Sequence, residues 1–141
     1  MVGYGKRVLV VDDEETLRNL LVEQLQQYEF VVVAVADGLK ALAELQRRHF
    51  DAVITDLQMP HLNGLDLLRQ SRLAWPDLPV FLMSGNYEDT VELAMARGAY
   101  ACVSKPVNIG HFLDLFRRAV QPRAFSGDRL PASGAGLPTG R

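Results

Sequence analysis

Short apolar runs that alternate with helix-like segments constrain the fold of this chain more than any other feature. Parallel strands need long crossover connections that are usually helical, so this alternation is typical of a parallel sheet. The predicted strands are Arg7–Val11, Val31–Ala36, Ala52–Asp56, Val80–Ser84 and Tyr100–Ser104. Apolar spacing and turn residues predict helices over about 14–28, 39–48, 64–75, 88–97 and 109–120. The sequence therefore predicts an α/β fold of the (βα)5 type with right-handed crossovers.

Composition excludes several classes of protein. The 141 residues include 15 basic and 17 acidic side chains, and this balance offers no basic field for nucleic acid phosphates. No apolar stretch approaches the roughly 18–20 residues that span a bilayer. Cys102 is the single cysteine, so no internal disulfide can form. We therefore expect a cytoplasmic protein that binds neither nucleic acid nor membrane.

The end of the chain differs in composition from the rest. Residues 126–141 hold four glycines, two prolines and two serines, with few large apolar side chains. Such a segment cannot bury enough apolar surface to fold. The sequence predicts one domain over residues 1–122, followed by a flexible tail or truncated linker over residues 123–141.

Carboxylates stand where two of the predicted strands end. Asp12 and Asp13 follow the first strand and Asp56 closes the third. Ligands of open parallel sheets bind beyond the carboxyl ends of the strands, so these three groups should meet. Mg²⁺ suits them because it takes oxygen ligands and needs only one or two carboxylates, and the backbone carbonyl of Gln58 could complete its shell. The alternative is that Asp13 or its neighbour merely caps the first helix.

A hydroxyl and an ammonium are predicted at the same edge of the sheet. Ser84 ends the fourth strand, Lys105 follows the fifth, and a cis Lys105–Pro106 bond is one way to aim the ammonium inward. The Asp56 carboxylate could attack phosphorus and form an acyl phosphate. Ser84 and Lys105 would then contact the phosphoryl oxygens. The alternatives are that Asp56 caps the third helix, although Asn63 is better placed, and that Ser84 is an ordinary turn residue.

The order and spacing of these residues resemble those of a known family. Asp12-Asp13, Asp56, Ser84 and Lys105-Pro106, each at its strand end, resemble the receiver domain of two-component response regulators. The stretches VLVVDDE, DLQMPHLNG and GA before SKP are especially close, and the resemblance covers roughly residues 6–121. It implies a flavodoxin-like, doubly wound sheet with strand order 2-1-3-4-5.

The resemblance also implies a function. Asp56 would accept a phosphoryl group from a histidine kinase or phosphotransfer protein, with Asp12 and Asp13 holding Mg²⁺. The protein would be a signalling phosphoacceptor that catalyses only its own phosphorylation and dephosphorylation. Phosphorylation would shift its conformation and so control a partner that binds the face of helix 4, strand 5 and helix 5. On that face the candidates are Leu93, Met95 and Tyr100, and a homodimer is a further expectation.

The chain departs from the family pattern in strand 5. Receivers commonly carry a Tyr or Phe three residues before the lysine, and here that position is Cys102. Either Tyr100, on the same strand face by alternation, replaces the aromatic switch, or Cys102 simply packs. Gln58 and Asn86, each two residues beyond a site residue, are expected to tune the lifetime of phosphorylated Asp56.

Other readings remain at this point. An aspartyl-phosphate phosphatase would need an aspartate two residues after its nucleophile, and Gln58 stands there. A flavin or nucleotide protein would need a glycine-rich loop after the first strand, where Asp12 and Asp13 would repel phosphate. A pseudo-receiver that acts by protein contacts alone, and a receiver cut from a hybrid kinase or larger regulator, complete the alternatives.

Overall fold

A single five-stranded parallel sheet organises the chain. The computed structural model describes residues 5–59 and 61–120. The strands are β1 (Arg7–Val11), β2 (Val31–Val35), β3 (Ala52–Asp56), β4 (Val80–Ser84) and β5 (Ala101–Ser104). The helices are α1 (Glu15–Gln27), α2 (Gly38–Arg47), α3 (Gly64–Ala74), α4 (Tyr87–Ala96) and α5 (Ile109–Val120). The strand order is β2-β1-β3-β4-β5, which confirms the predicted fold class and topology.

Two predicted strand boundaries are wrong by one residue. The second strand ends at Val35 rather than Ala36, because Val35 pairs with Val11 and β1 ends there. The fifth strand begins at Ala101 rather than Tyr100, where its register with β4 starts. The predicted tail, residues 123–141, lies outside the described residues.

The sheet is buried on both faces, which explains its continuous apolar strands. One face packs against residues of α2, α3 and α4, and the other against residues of α1 and α5. Successive strand residues enter opposite layers, so Leu9 and Leu82 belong to the first layer and Val10 and Phe81 to the second. Because neither face is free, the sheet edges and loops are left to carry polar chemistry.

No helix within residues 5–59 and 61–120 has both the length and the apolar character needed to cross a membrane.

The turn into α3 is packed directly against the end of β3. The Gly64 amide donates to the Leu57 carbonyl at 2.7 Å, and the Asn63 side chain caps α3 by accepting from the Asp66 amide at 2.9 Å. A Cβ at Gly64 would collide with the Asp56 carbonyl oxygen and lie 2.9 Å from the Leu57 Cα. Gly64 is thus needed for a close approach of two backbone segments.

We expect Gly64→Ala to lower the free energy of unfolding by about 1–3 kcal/mol, because the added methyl group must displace backbone atoms. Urea denaturation measures the loss. Gly85→Ala is the matched control, since a Cβ there would meet no atom within 4 Å. The control should stay within about 0.5 kcal/mol of the native protein. Equal stabilities of the two variants would contradict the packing account.

Candidate functional site

Three carboxylates converge beyond the carboxyl ends of β1 and β3. Asp12, Asp13 and Asp56 each offer a carboxylate oxygen, and these oxygens all lie within 4.8 Å of one another. The β1–β3 register, in which Val11 pairs with Thr55, places the two strand ends side by side. Asp12 and Asp56 are buried, whereas Asp13 is exposed. The predicted meeting of these three residues is therefore found in the structure.

An ammonium group reaches this cluster from the far edge of the sheet. Lys105 Nζ lies 3.0 Å from Asp56 Oδ2, 3.2 Å from Asp12 Oδ1 and 3.5 Å from Glu14 Oε1. The Lys105–Pro106 peptide bond is cis, as the sequence analysis proposed. Lys105 is the cation of the cluster and is itself largely buried.

Burial and charge act against each other on this pair. Burial raises the pKa of the Asp56 carboxyl, and the nearby Asp12 charge adds to the increase. The hydrogen bond and charge of Lys105 lower that pKa but do not cancel the rise. Burial lowers the pKa of the Lys105 ammonium, yet its hydrogen bonds and charge interactions with Asp56 and Asp12 raise it overall. The site thus keeps an ion pair at a cost in solvation.

Backbone groups fix the two buried carboxylates. Asp12 Oδ1 accepts from the Glu14 amide at 3.0 Å, and Asp56 Oδ1 accepts from the Leu57 amide at 2.8 Å. The Arg18 guanidinium donates to the Asp12 carbonyl at 2.9 Å and ties the start of α1 to the site. Asp12 therefore serves both the turn into α1 and the cluster. Arg18 was not identified from the sequence, since an arginine on an amphipathic helix carries no distinct signal.

Ser84 is buried at the end of β4 and is engaged on two sides. Its Oγ lies 2.9 Å from Thr90 Oγ1 and accepts from the Asn86 amide at 3.0 Å. Asp56 pairs in the sheet with Met83, so Ser84 stands one residue beyond the phosphoacceptor candidate on the adjacent strand. Thr90, also buried, was missed by the sequence analysis. A threonine six residues after a strand-end serine is the only signal that could have suggested it.

The remaining candidates differ in their surroundings. Gln58 is exposed in the loop after β3, and its carbonyl as a metal ligand stays a prediction. Cys102 is buried among the α2–α4 layer, and burial raises the pKa of its thiol. The Tyr100 ring packs instead on Phe81, a residue of the opposite layer, with ring centroids 5.4 Å apart. This corrects the expectation that Tyr100 shares the face of Cys102, because Tyr100 precedes the strand.

The donor set fits a small divalent cation and a phosphoryl group. The three carboxylates have oxygens within 4.8 Å of one another. This spacing suits Mg²⁺, which takes oxygen ligands from one or two carboxylates and keeps several waters. A single ammonium beside them can neutralise a phosphoryl oxygen. Asp56 is one of the two buried carboxylates of this set, and it lies beside that ammonium.

We expect Lys105→Met to lower the free energy of unfolding at pH 7 by about 1.5–3 kcal/mol, because buried Asp56 and Asp12 lose a charged hydrogen-bond partner. A carboxyl whose pKa is raised on folding favours the folded state below its unfolded pKa and opposes it as pH rises through its folded pKa. Removing Lys105 raises the Asp56 pKa further. The loss of unfolding free energy in Lys105→Met should therefore become smaller as pH falls from 7 toward about 4.

Urea denaturation across this pH range measures the effect, with Lys40→Met as the control because Lys40 is exposed on α2, outside the cluster. A deficit in Lys105→Met that stays constant between the two pH values would contradict the account.

Comparison with known proteins assigns the family. A family model described as the response regulator receiver domain matches residues 8–117. Regulatory protein VirG of Agrobacterium tumefaciens is 35% identical over 120 residues, which are 84% of this chain and 45% of VirG. The chain thus spans less than half the length of that relative.

Solved structures of receiver domains have the same fold as this chain. A response regulator receiver domain protein from Clostridium thermocellum has a TM-score of 0.75 and 28% identity, covering 82% of this chain and 94% of that one. The receiver domain of sensor histidine kinase PA1611 from Pseudomonas aeruginosa, with a magnesium ion in its active-site cleft, has a TM-score of 0.75 and 22% identity, covering 81% and 96%. With the family match over most of its length, this chain belongs to the response regulator receiver domains of two-component systems.

Proposed function

We propose that Asp56 accepts a phosphoryl group from a histidine kinase or a phosphotransfer protein in a Mg²⁺-dependent reaction. The observation that carries the proposal is the convergence of Asp56 with Asp12, Asp13 and Lys105 at one edge of the sheet. Receiver domains are signalling phosphoacceptors rather than classical enzymes, and a chain with this constellation has the groups that such a role requires.

The chemistry is an in-line displacement. An Asp56 carboxylate oxygen forms a bond to phosphorus, the bond from phosphorus to the donor nitrogen breaks, and the nitrogen keeps the electron pair. Bound Mg²⁺ would supply charge neutralisation at the phosphoryl oxygens, held by Asp12, Asp13 and Asp56 and the Gln58 carbonyl. Lys105 already contacts Asp56 Oδ2, and its ammonium would contact an oxygen of the transferred phosphoryl group. Ser84 donates to another phosphoryl oxygen.

The same groups support loss of the phosphoryl group. Hydrolysis of the acyl phosphate needs a water in line with phosphorus, and this chain would then catalyse only its own phosphorylation and dephosphorylation. Gln58 and Asn86 are both exposed in the segments that follow β3 and β4. From there they would set the lifetime of phosphorylated Asp56 by ordering or excluding that water.

The output is proposed to be a shift between two conformations that a partner reads. The face formed by α4, β5 and α5 is the proposed contact surface for the downstream partner or for a homodimer. Leu93, Met95 and Tyr100 are exposed there, at 41%, 46% and 37% of their full area. This chain covers only 45% of VirG, so a role as a receiver cut from a larger regulator or hybrid kinase is equally compatible with the sequence. A cytoplasmic location stays a prediction from composition.

We expect acetyl phosphate to label the native protein on one aspartate when Mg²⁺ is present, and Asp56→Asn to abolish the labelling, because the amide cannot form an acyl phosphate. Mass spectrometry of the intact protein gives the added mass, and peptide mapping gives the position. Asp77→Asn is the control, since Asp77 is exposed and far from the cluster in sequence and fold. A native protein that stays unmodified would favour the alternative of a pseudo-receiver.

We also expect Mg²⁺ to raise the free energy of unfolding, by about 2.7 kcal/mol at a concentration one hundred times its dissociation constant. Asp13→Asn should reduce this gain by removing one ligand from an exposed position, without leaving a buried group unpaired. Glu15→Gln is the matched control, because Glu15 is exposed in the first turn of α1 outside the cluster. Thermal unfolding over a MgCl₂ series measures all three proteins. Equal gains in both variants would remove Asp13 from the metal site.

A further inference from the structure

The hydroxyl of Ser84 is not free to meet a phosphoryl group. Ser84 Oγ and Thr90 Oγ1 are 2.9 Å apart, and both side chains are buried. Thr90 Oγ1 is also 2.8 Å from the Asn86 carbonyl, and the Asn86 amide is 3.0 Å from Ser84 Oγ. The three residues form a closed ring of hydrogen bonds that joins the end of β4 to the first turns of α4.

The number of protons fixes the direction of these bonds. A carbonyl oxygen can only accept, so the Thr90 hydroxyl donates its proton to Asn86. The remaining bond in the ring then requires the Ser84 hydroxyl to donate to Thr90 Oγ1. A hydroxyl has one proton. The proton that Ser84 would offer to a phosphoryl oxygen is therefore held by Thr90.

This ring also closes the start of α4. The N-cap residue Asn86 makes no capping hydrogen bond with its own side chain. Its amide is satisfied by Ser84 and its carbonyl receives the proton of Thr90. Amide groups at a helix start have no partner within the helix, so the Asn86 amide needs one such as Ser84. The end of β4 and the beginning of α4 thus depend on one pair of hydroxyl groups.

We propose that Thr90 is a positioning residue that holds the Ser84 hydroxyl in the unphosphorylated state and releases it on phosphorylation, so that the change is passed to α4. This inference rests on the proposed phosphorylation of Asp56. When Ser84 donates to a phosphoryl oxygen, its bond to Thr90 is lost and the first turn of α4 loses its tie to the sheet. Cys102, at the position where the family commonly has an aromatic ring, is packed in the core and offers no such link.

Thr90→Val tests the proposal because valine keeps the shape of threonine and removes the acceptor. We expect the variant to bind beryllofluoride, a phosphoryl analogue, about threefold to tenfold more tightly with Mg²⁺ present, the effect of one ordinary hydrogen bond that no longer has to break. Amide hydrogen exchange in α4 should be faster by a similar factor before the anion is added. Adding beryllofluoride should then change the exchange rate of α4 little in the variant, whereas it should raise that rate in the native protein.

Two control variants separate positioning from structure. Thr90→Ser keeps the hydroxyl and should restore both the native affinity and the native exchange response. Ser71→Ala removes another buried hydroxyl, one with no hydrogen-bond partner among the described residues, and should leave both readouts unchanged. A merely structural role for Thr90 would loosen α4 with and without beryllofluoride and would not tighten binding of the anion.

The outcomes distinguish this inference from the function on which it rests. Native affinity and a native exchange response in Thr90→Val would overturn the role of Thr90 while Asp56 is still labelled normally. A native protein whose Asp56 takes no label and which does not bind beryllofluoride would overturn the proposed function, and the role of Thr90 with it. Tighter binding of beryllofluoride by Thr90→Val, together with native affinity in Thr90→Ser, supports both the role of Thr90 and the proposed function.

Discussion

The ion pair between Lys105 and Asp56 is the interaction on which the rest of the site depends. Its 3.0 Å contact joins the edge strand β5 to the central strand β3, across the intervening β4. Without that ammonium, buried Asp56 would stand beside Asp12 with no positively charged partner within residues 5–59 and 61–120, a costly arrangement in a medium of low dielectric constant. The burial that raises the pKa of Asp56 also makes the carboxylate depend on the cations that reach it.

Receiver domains as a family accept a phosphoryl group at such a site, which must then accommodate additional negative charge. A phosphoryl group adds up to about two negative charges at pH 7. The cluster already contains three carboxylates, and Lys105 contacts two of them. On one side the cluster opens to solvent at Asp13, where a hydrated divalent ion can enter. On the buried side, backbone amides and Lys105 hold Asp12 and Asp56.

Much of this arrangement could be predicted from the sequence because parallel strands share one edge. Polar residues at the carboxyl ends of parallel strands lie at one edge of the sheet, so the meeting of Asp12, Asp56 and Lys105 could be predicted from the strand boundaries. The ring around Thr90 could not be found in this way, since it depends on how α4 turns away from β4 and on two side-chain rotamers. The prediction that Tyr100 shares the face of Cys102 was wrong for a related reason. Strict alternation applies only within a strand, and Tyr100 stands just before β5.

The close contact between Gly64 and the Asp56 carbonyl has a consequence for how such a domain can diversify. The connection that follows Asp56 is fixed where it leaves β3, and again at Gly64, where an added Cβ would collide with backbone atoms. Within this connection Met59 and Leu62 pack against the core, whereas Gln58 and His61 are exposed. These two exposed positions can change in sequence without displacing the Asp56 carboxylate. Variation at those positions would alter the surface beside the carboxylate cluster while the cluster keeps its geometry.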